Sequence, residues 1–295
     1  MPRILVTGAS GQLGVELQRA HLPANWTLLR PTRADLDLSE TSRLARAIEA
    51  LAPDAIINTA AYTAVDKAES EPDLAFALNR DAPEALAHAA ARRGAPLVHL
   101  STDYVFDGAK AGAYVETDAR SPIGAYGRSK AAGEVAVLAA PARAAIVRTS
   151  WVFSAHRANF VKTMLRLGES NAEVRVVADQ HGRPTAASDL AAACIALTER
   201  LLARDEAARG VFHFANAGDA TWADFAEAIF AGAEARGRAP VRVRRIATAE
   251  FPTAAQRPAN SRLDTTRFET ALAITPRPWR EALNECLDEL LRPAG

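Results

Sequence analysis

Short, unbroken apolar runs alternate with longer amphipathic stretches through the first half of the chain. Arg3-Ile4-Leu5-Val6-Thr7 predicts a buried strand, which runs into Gly8-Ala9-Ser10-Gly11-Gln12-Leu13-Gly14 and a helix around Val15 to Ala20. Trp26 to Arg30 predicts a second strand. Leu44, Ala47, Ile48 and Leu51 recur at three- and four-residue spacing, which predicts a helix with Ser39 as its N-cap. Asp54 to Ala60 predicts another strand, Ala75 to Arg93 a long helix, and Pro96 to Thr102 a further strand. A loop rich in Asp, Gly and Pro then leads to a helix around Tyr126 and the strand Ala145 to Thr149. Strands without polar alternation are covered on both faces, and their alternation with helices predicts an α/β fold built on a Rossmann-type doubly wound parallel sheet.

Beyond about Trp151 the rhythm changes. Helices are expected over Phe160 to Leu167, Ala187 to Ala203, Trp222 to Ala235 and Arg280 to Leu291, with strands at Val174 to Val177 and Val211 to Phe214. Prolines at 252, 258, 276 and 278 interrupt the last stretch. The expected organisation is a dinucleotide-binding Rossmann domain over 1–150. Residues 151–295 then form mainly a smaller substrate-binding lobe over the carboxyl edge of the sheet, with some elements returning to the first domain.

Composition narrows the function classes. At 295 residues, 49% hydrophobic and 24% charged, the chain suits an ordinary globular enzyme. Its net charge is zero and it has no basic block, which argues against nucleic acid and anionic membranes as partners. No apolar run approaches the roughly 20 residues that span a bilayer. Met1-Pro2-Arg3 leads straight into a strand and does not read as a signal peptide. Cys194 and Cys286 lack CxxC spacing and read as buried thiols, in keeping with a reducing cytoplasm. The six histidines show no metal-ligand spacing, and His99, inside an expected strand, reads as a satisfied core residue.

Gly8, Gly11 and Gly14 are spaced three apart between a strand and a helix, the context that makes a glycine pattern a dinucleotide fingerprint. Backbone amides there, including those of Gln12 and Leu13, can face a pyrophosphate at the helix N-terminus. The second strand leads to Arg30 and Arg33 where an NAD site would carry an acid, so NADPH is favoured with NADH as the alternative, although the two arginines equally suit a solvated surface. Asp37 and Leu38 fall where adenine would sit, although Asp37 equally suits a helix cap. The end of the Asp54 to Ala60 strand puts Ala60, Ala61, Tyr62 and Thr63 beside the pyrophosphate and nicotinamide ribose.

The third element is chemical. Tyr126 and Lys130 stand four residues apart, which on a helix places phenol and ammonium on one face. A nearby cation lowers a phenol's pKa and turns it into a usable acid. Thr102 closes a strand and can hold a carbonyl oxygen beside that tyrosine. Three such groups and a dinucleotide point to carbonyl reduction or alcohol oxidation.

With these residues in place, the chain resembles the extended short-chain dehydrogenases/reductases, and within them the dTDP-4-dehydrorhamnose reductase family, over nearly its whole length. The segments that carry the likeness are Gly8 to Gly14, Asn58 to Glu69, Ser101 to Gly108, Tyr126 to Lys130, Arg148 to Phe153 and Arg257 to Asp264. The Tyr-x-x-x-Lys spacing marks the superfamily alone, whereas Thr63 to Glu69 and Arg257 to Asp264 are more particular. The resemblance implies NADPH-dependent reduction of the C4 ketone of a dTDP-sugar. Tyr126 would be the proton donor, Lys130 would tune it and grip the nicotinamide ribose, and Thr102 would steady the ketone. Val65, Asp66, Asp103 and Trp151 would meet the sugar nucleotide, with Asn159, Phe160 and Arg257 facing its diphosphate. Arg257 equally suits a salt bridge at the junction of the lobes. Some relatives hold magnesium through acids at a dimer contact. Glu16 is the one match, so no metal ligands are assigned and both Mg²⁺ and a homodimer stay open. Two other functions share these motifs: a neighbouring sugar-nucleotide epimerase or reductase, and a non-catalytic NADP-binding regulatory subunit.

Overall fold

The computed structural model describes residues 1–292. Its centre is a six-stranded sheet in which every pairing is parallel. Five strands come from the first half: β1 (Arg3–Thr7), β2 (Thr27–Leu29), β3 (Ala55–Asn58), β4 (Leu97–Thr102) and β5 (Ala144–Thr149). The later strands are β6 (Val152–Phe153), β7 (Glu173–Val177), β8 (His181–Gly182), β9 (Thr185–Ala186), β10 (Gly210–His213), β11 (Ala220–Thr221) and β12 (Arg242–Ile246). The sheet runs β10-β5-β4-β3-β1-β2, so the winding reverses between β1 and β3. In such sheets ligands bind outside the carboxyl ends of the strands at the reversal.

The apolar runs follow from covering on both faces. Ile4 and Val6 of β1 point into a core with Leu13 and Leu17 of α1 (Gln12–Arg19), while Leu5 points into the opposite core. That second core is closed by α2 (Thr41–Leu51), α4 (Ala82–Arg93) and α5 (Ala125–Ala139), through Leu44, Ile48, Leu86, Ala90 and Val137. The first is completed by later parts of the chain: α7 (Ala187–Leu202), through Leu190, Cys194 and Leu197, and α9 (Thr266–Leu272), through Phe268. A separate core joins α6 (Phe160–Gly168), α8 (Trp222–Glu234) and α10 (Trp279–Leu291) to the parallel β7–β12 ribbon.

Three local expectations change. The helix expected from Ala75 to Arg93 is α3 (Pro72–Phe76), a π-helical turn at Ala77–Asp81, and α4. The wide turn carries Asn79, which is fully buried and clamps the Tyr62 backbone from both sides (Tyr62 N to Oδ1 2.8 Å, Nδ2 to Tyr62 O 3.0 Å). Ser39 is not a helix cap: its hydroxyl donates to Asp37 Oδ1 at 2.7 Å, and Glu40 occupies the cap of α2 without a side-chain bond. β12 and α9 went unread in the sequence. The Arg-Val-Arg-Arg-Ile run hides the apolar signal of β12, and α9 spans only 7 residues.

Candidate active site

The loop after β1 is shaped for close approach of a ligand to backbone. Gly8 has φ +69°, and a Cβ there would lie 2.8 Å from the Ala60 nitrogen. A Cβ on Gly14 would lie 2.3 Å from the Gly8 carbonyl oxygen, so only glycine lets α1 start this tightly against β1. Beside this turn opens a cavity of about 590 Å³. Of the expected cofactor residues, Gly8, Arg30, Arg33, Asp37, Leu38, Ala60 and Ala61 line it. Gly11 donates its amide to Gly8 O at 2.9 Å, and Leu13 turns into the core under the sheet. Gln12 Oε1 accepts from Asn159 Nδ2 at 2.9 Å, which ties the cradle to the lobe. Tyr62 and Thr63 fall outside the lining: the Tyr62 hydroxyl donates to Glu71 at 2.6 Å, and Thr63 is exposed.

Cationic groups gather at this cavity. Arg30 Nη1 donates to Gln18 Oε1 at 2.7 Å, and the exposed Arg33 reaches Asp37 at 3.4 Å, a contact worth little in water. Arg157, which the sequence reading missed, lines the same cavity and donates Nε to Ser10 O at 2.5 Å. A glycine turn with guanidinium groups beside it fits a dinucleotide that carries an extra phosphate.

At the carboxyl end of β4 stand the acid–base candidates. Helix α5 starts where Glu69 Oε1 accepts the Ala125 amide at 2.8 Å, a carboxylate at the positive end of the helix. This sets Tyr126 in its first turn, edge-on to the Tyr104 ring with centroids 5.5 Å apart. Lys130, one turn on, is buried and donates Nζ to Leu100 O at 2.7 Å. Thr102 Oγ1 donates to Asp103 Oδ1 at 2.9 Å and accepts the Tyr104 amide at 3.2 Å.

Burial dominates the electrostatics of this group. It pushes the Tyr126 phenol up to about 12, and the hydrogen bond with Thr102 works against it. The expected lowering of that phenol by Lys130 is therefore absent in the protein alone. The ammonium itself is pushed down to about 8 by burial, opposed by the Glu134 carboxylate. Asp103 is pushed up to about 6 by burial against its hydrogen bonds.

A second cavity, of about 410 Å³, opens among Asp66, Tyr104, Phe160, Arg175, Trp222 and Arg257. Aromatic faces and two guanidinium groups suit a base and a diphosphate. Asp66 and Arg257 pair at 2.8 Å, the salt bridge that the sequence had left as an alternative. Val65 is half-buried and does not line this space. Asn159 is not at it either: the side chain caps α6, accepting the Lys162 amide at 3.1 Å, and its neighbour Phe160 takes the place at the wall. Trp151 has φ +49° and stacks on Trp222 with centroids 3.7 Å apart, so that Trp222, unread in the sequence, lines the wall in its place. Holding a tryptophan in the left-handed region costs of order 1–2 kcal/mol, and the stack fixes that choice.

His99 is only half satisfied. Its Nδ1 meets Asn58 Nδ2 at 2.9 Å, its Nε2 has no partner among the described residues, and burial holds the ring neutral, well below the usual histidine range. Cys194 and Cys286 are buried free thiols. Glu16 faces His156 at 3.7 Å and Arg19 at 3.8 Å, and among the described residues no group of three or more His, Cys, Asp or Glu is placed to hold a metal. Glu289, which lines one cavity with Glu16, is bound to Arg19 at 3.0 Å. Arg19 thus lies against both carboxylates.

Known proteins are similar to this chain over nearly its whole length. The chain is 47% identical to the dTDP-4-dehydrorhamnose reductase of Sinorhizobium fredii, over 98% of each chain. A crystal structure of dTDP-4-dehydrorhamnose reductase from Bacillus anthracis in complex with NADP superposes with a TM-score of 0.90 at 37% identity, covering 98% of this chain and 99% of that one. An orthologue from Clostridium acetobutylicum gives 0.89 at 40% identity, covering 98% and 99%. The family model described as the RmlD substrate binding domain matches residues 2–292, and the chain belongs to that family.

Proposed function

We propose that this protein reduces the C4 ketone of dTDP-4-dehydro-L-rhamnose to give dTDP-L-rhamnose, with NADPH as the reductant. The observation that carries the reading is the convergence of Thr102, Tyr126 and Lys130 at the carboxyl end of β4, with Ala60 and Ala61 of the first cavity following the neighbouring β3. A substrate of this class fits the second cavity, which Arg175 and Arg257 line.

The glycine turn from Gly8 to Gly14 would hold the pyrophosphate, and Arg30 and Arg33 a 2′-phosphate. When bound, the nicotinamide supplies a hydride to the ketone carbon. Tyr126 gives its hydroxyl proton to the oxygen as negative charge develops there, and recovers a proton from solvent afterwards. Thr102 would fix that oxygen beside the phenol, and Lys130 would grip the nicotinamide ribose. Asp66 borders the sugar nucleotide, Asp103 stands behind Thr102 and holds its hydroxyl, Trp151 supports the aromatic wall, and Arg257 faces the diphosphate.

In this reading residues 1–150 serve the cofactor and 151–295 mainly the substrate, with α7, β10 and α9 counted among the sheet's supports. No described helix is long and apolar enough to cross a membrane. Two free thiols and a small-molecule substrate suit the cytoplasm. Neither nucleic acid nor membrane is assigned as a partner, and sedimentation will distinguish a monomer from a homodimer.

The test is NADPH consumption with dTDP-4-dehydro-L-rhamnose generated by coupled upstream enzymes, repeated with UDP- and GDP-linked ketosugars. Turnover confined to the dTDP-sugar is expected. Turnover only with another nucleotide would replace the substrate. NADPH binding without any turnover would overturn the enzymatic reading in favour of a regulatory subunit.

A further inference from the structure

Behind the acid–base residues lies a fully buried ion pair that the reaction itself does not use. Tyr126, Lys130 and Glu134 are spaced four apart on α5 and form one stripe along the helix. Lys130 Nζ is held by Leu100 O at 2.7 Å. Ser101, the next residue of β4, donates its hydroxyl to Glu134 Oε1 at 2.5 Å, and Thr102 follows. Arg148 of β5 is the register partner of Ser101, and it grips the same carboxylate with two bonds, Nε to Oε1 at 2.8 Å and Nη2 to Oε2 at 2.6 Å. Glu134 thus joins the helix that carries Tyr126 and Lys130 to the strand that carries Thr102.

Stability does not account for this pair. Burying two charges costs several kcal/mol per ion, and apolar residues of similar volume commonly hold a fold as well or better. Its placement one turn beyond Lys130 does account for it. A buried ammonium would shed its proton readily, and the Glu134 carboxylate, one turn along the same helix, is the charge that opposes this. The other charged or titratable groups here are Tyr126 on α5, His99 on β4, Arg148 on β5 and Arg120, which reaches Glu134 Oε2 at 3.3 Å. His213 on β10 lies 3.3 Å from Arg148, gives its own Nδ1 proton to Tyr114 O at 3.0 Å, and is kept neutral by burial. Arg148 also donates to Glu116 O at 3.3 Å and lies over the Phe106 ring.

We propose that Glu134 is a positioning residue of the active site: its carboxylate fixes the register of α5 against β4 and β5 and maintains the charge of Lys130. This rests on the reductase reading, yet its test has a readout apart from turnover. Glu134→Gln keeps the shape and an acceptor while removing the charge. NADPH affinity, followed by fluorescence titration between pH 6 and 9.5, falls on the basic side as Lys130 loses its proton. In Glu134→Gln that fall should begin about one pH unit lower, and the basic limb of kcat/KM should move with it. Glu134→Gln combined with Arg148→Met removes both charges, protects the fold from an unpaired buried guanidinium, and should still show a displaced limb, by a smaller amount. A limb at the wild-type pH in both variants would overturn the proposal, whatever happens to thermal stability. If the binding limb moves while no dTDP-sugar is turned over by the wild type, the reductase reading fails and the role of Glu134 toward Lys130 stands.

Discussion

Asp66 and Arg257 lie 191 residues apart in the chain and meet in a 2.8 Å ion pair that borders the second cavity. Asp66 also accepts the Ala255 amide at 3.0 Å, so one carboxylate anchors the whole turn that delivers the guanidinium. Arg257 keeps a second nitrogen, Nη1, buried without a partner among the described residues. Arg257 lines the aromatic-walled space, so its guanidinium is placed at the edge where an anionic oxygen would bind.

Arg257→Ala should therefore weaken the sugar nucleotide more than the cofactor. The expected outcome is a rise in KM for the dTDP-sugar of about 10-fold or more, the scale of one charge-assisted hydrogen bond. NADPH affinity, measured separately, should stay within about threefold of wild type. An unchanged KM would reduce Arg257 to a structural tie between the two lobes.

Tyr126→Phe removes the proton donor and little else, since the ring can keep its edge-on contact with Tyr104. Its kcat should drop about 10²- to 10⁴-fold, the usual effect of losing a general acid. NADPH titration is the control and should be nearly unaltered. Near-full turnover in this variant would remove Tyr126 from its assigned role.

Asp103 gives a pH-dependent stability with a defined sign. Folded, its carboxyl holds a proton up to about pH 6, against an ordinary value of 3.8. Between those values the folded state carries more protons than the unfolded one, so stability from this group falls as pH rises and stays low above pH 6. The loss is of order 2–3 kcal/mol. Asp103→Asn should raise Tm at pH 7 by several degrees, lose that advantage near pH 4, and lower turnover. An equal Tm gain at both pH values would show that the buried charge is not its source.

Cofactor choice is expected to depend on Arg30 more than on Arg33. Arg30 is oriented by Gln18 at the first cavity, whereas Arg33 is exposed and turned to Asp37. Arg30→Ala should lower kcat/KM for NADPH about 10-fold while leaving NADH nearly unaffected. Steady-state rates with both nucleotides decide it, and an equal loss for both would exclude a 2′-phosphate contact.

Much of this protein is legible in its sequence because the relevant signals are local. The uninterrupted apolar runs of β1, β3, β4 and β5 fix strands covered on both faces, and the three- and four-residue spacing of Leu44, Ala47, Ile48 and Leu51 fixes α2. The glycines of the first turn answer a steric demand made by their own neighbours, and Tyr126 and Lys130 share a face because helical geometry requires it. The pairing partners were not legible. Nothing near Arg257 in the chain names Asp66, and nothing near Glu134 names Arg148 or Ser101. The same holds for α7 and β10, which return to the first sheet after the chain has begun the lobe. A buried charge is satisfied by whatever the fold brings within 3 Å, and that is set by the packing of the whole core and not by spacing along the chain. Even the state of Tyr126 was decided there: proximity in sequence suggested a lowered phenol, while burial in the assembled site raises it. The sequence on its own determined the elements and the reactive groups, and the tertiary structure alone decided which of those groups meet and what charge each one holds.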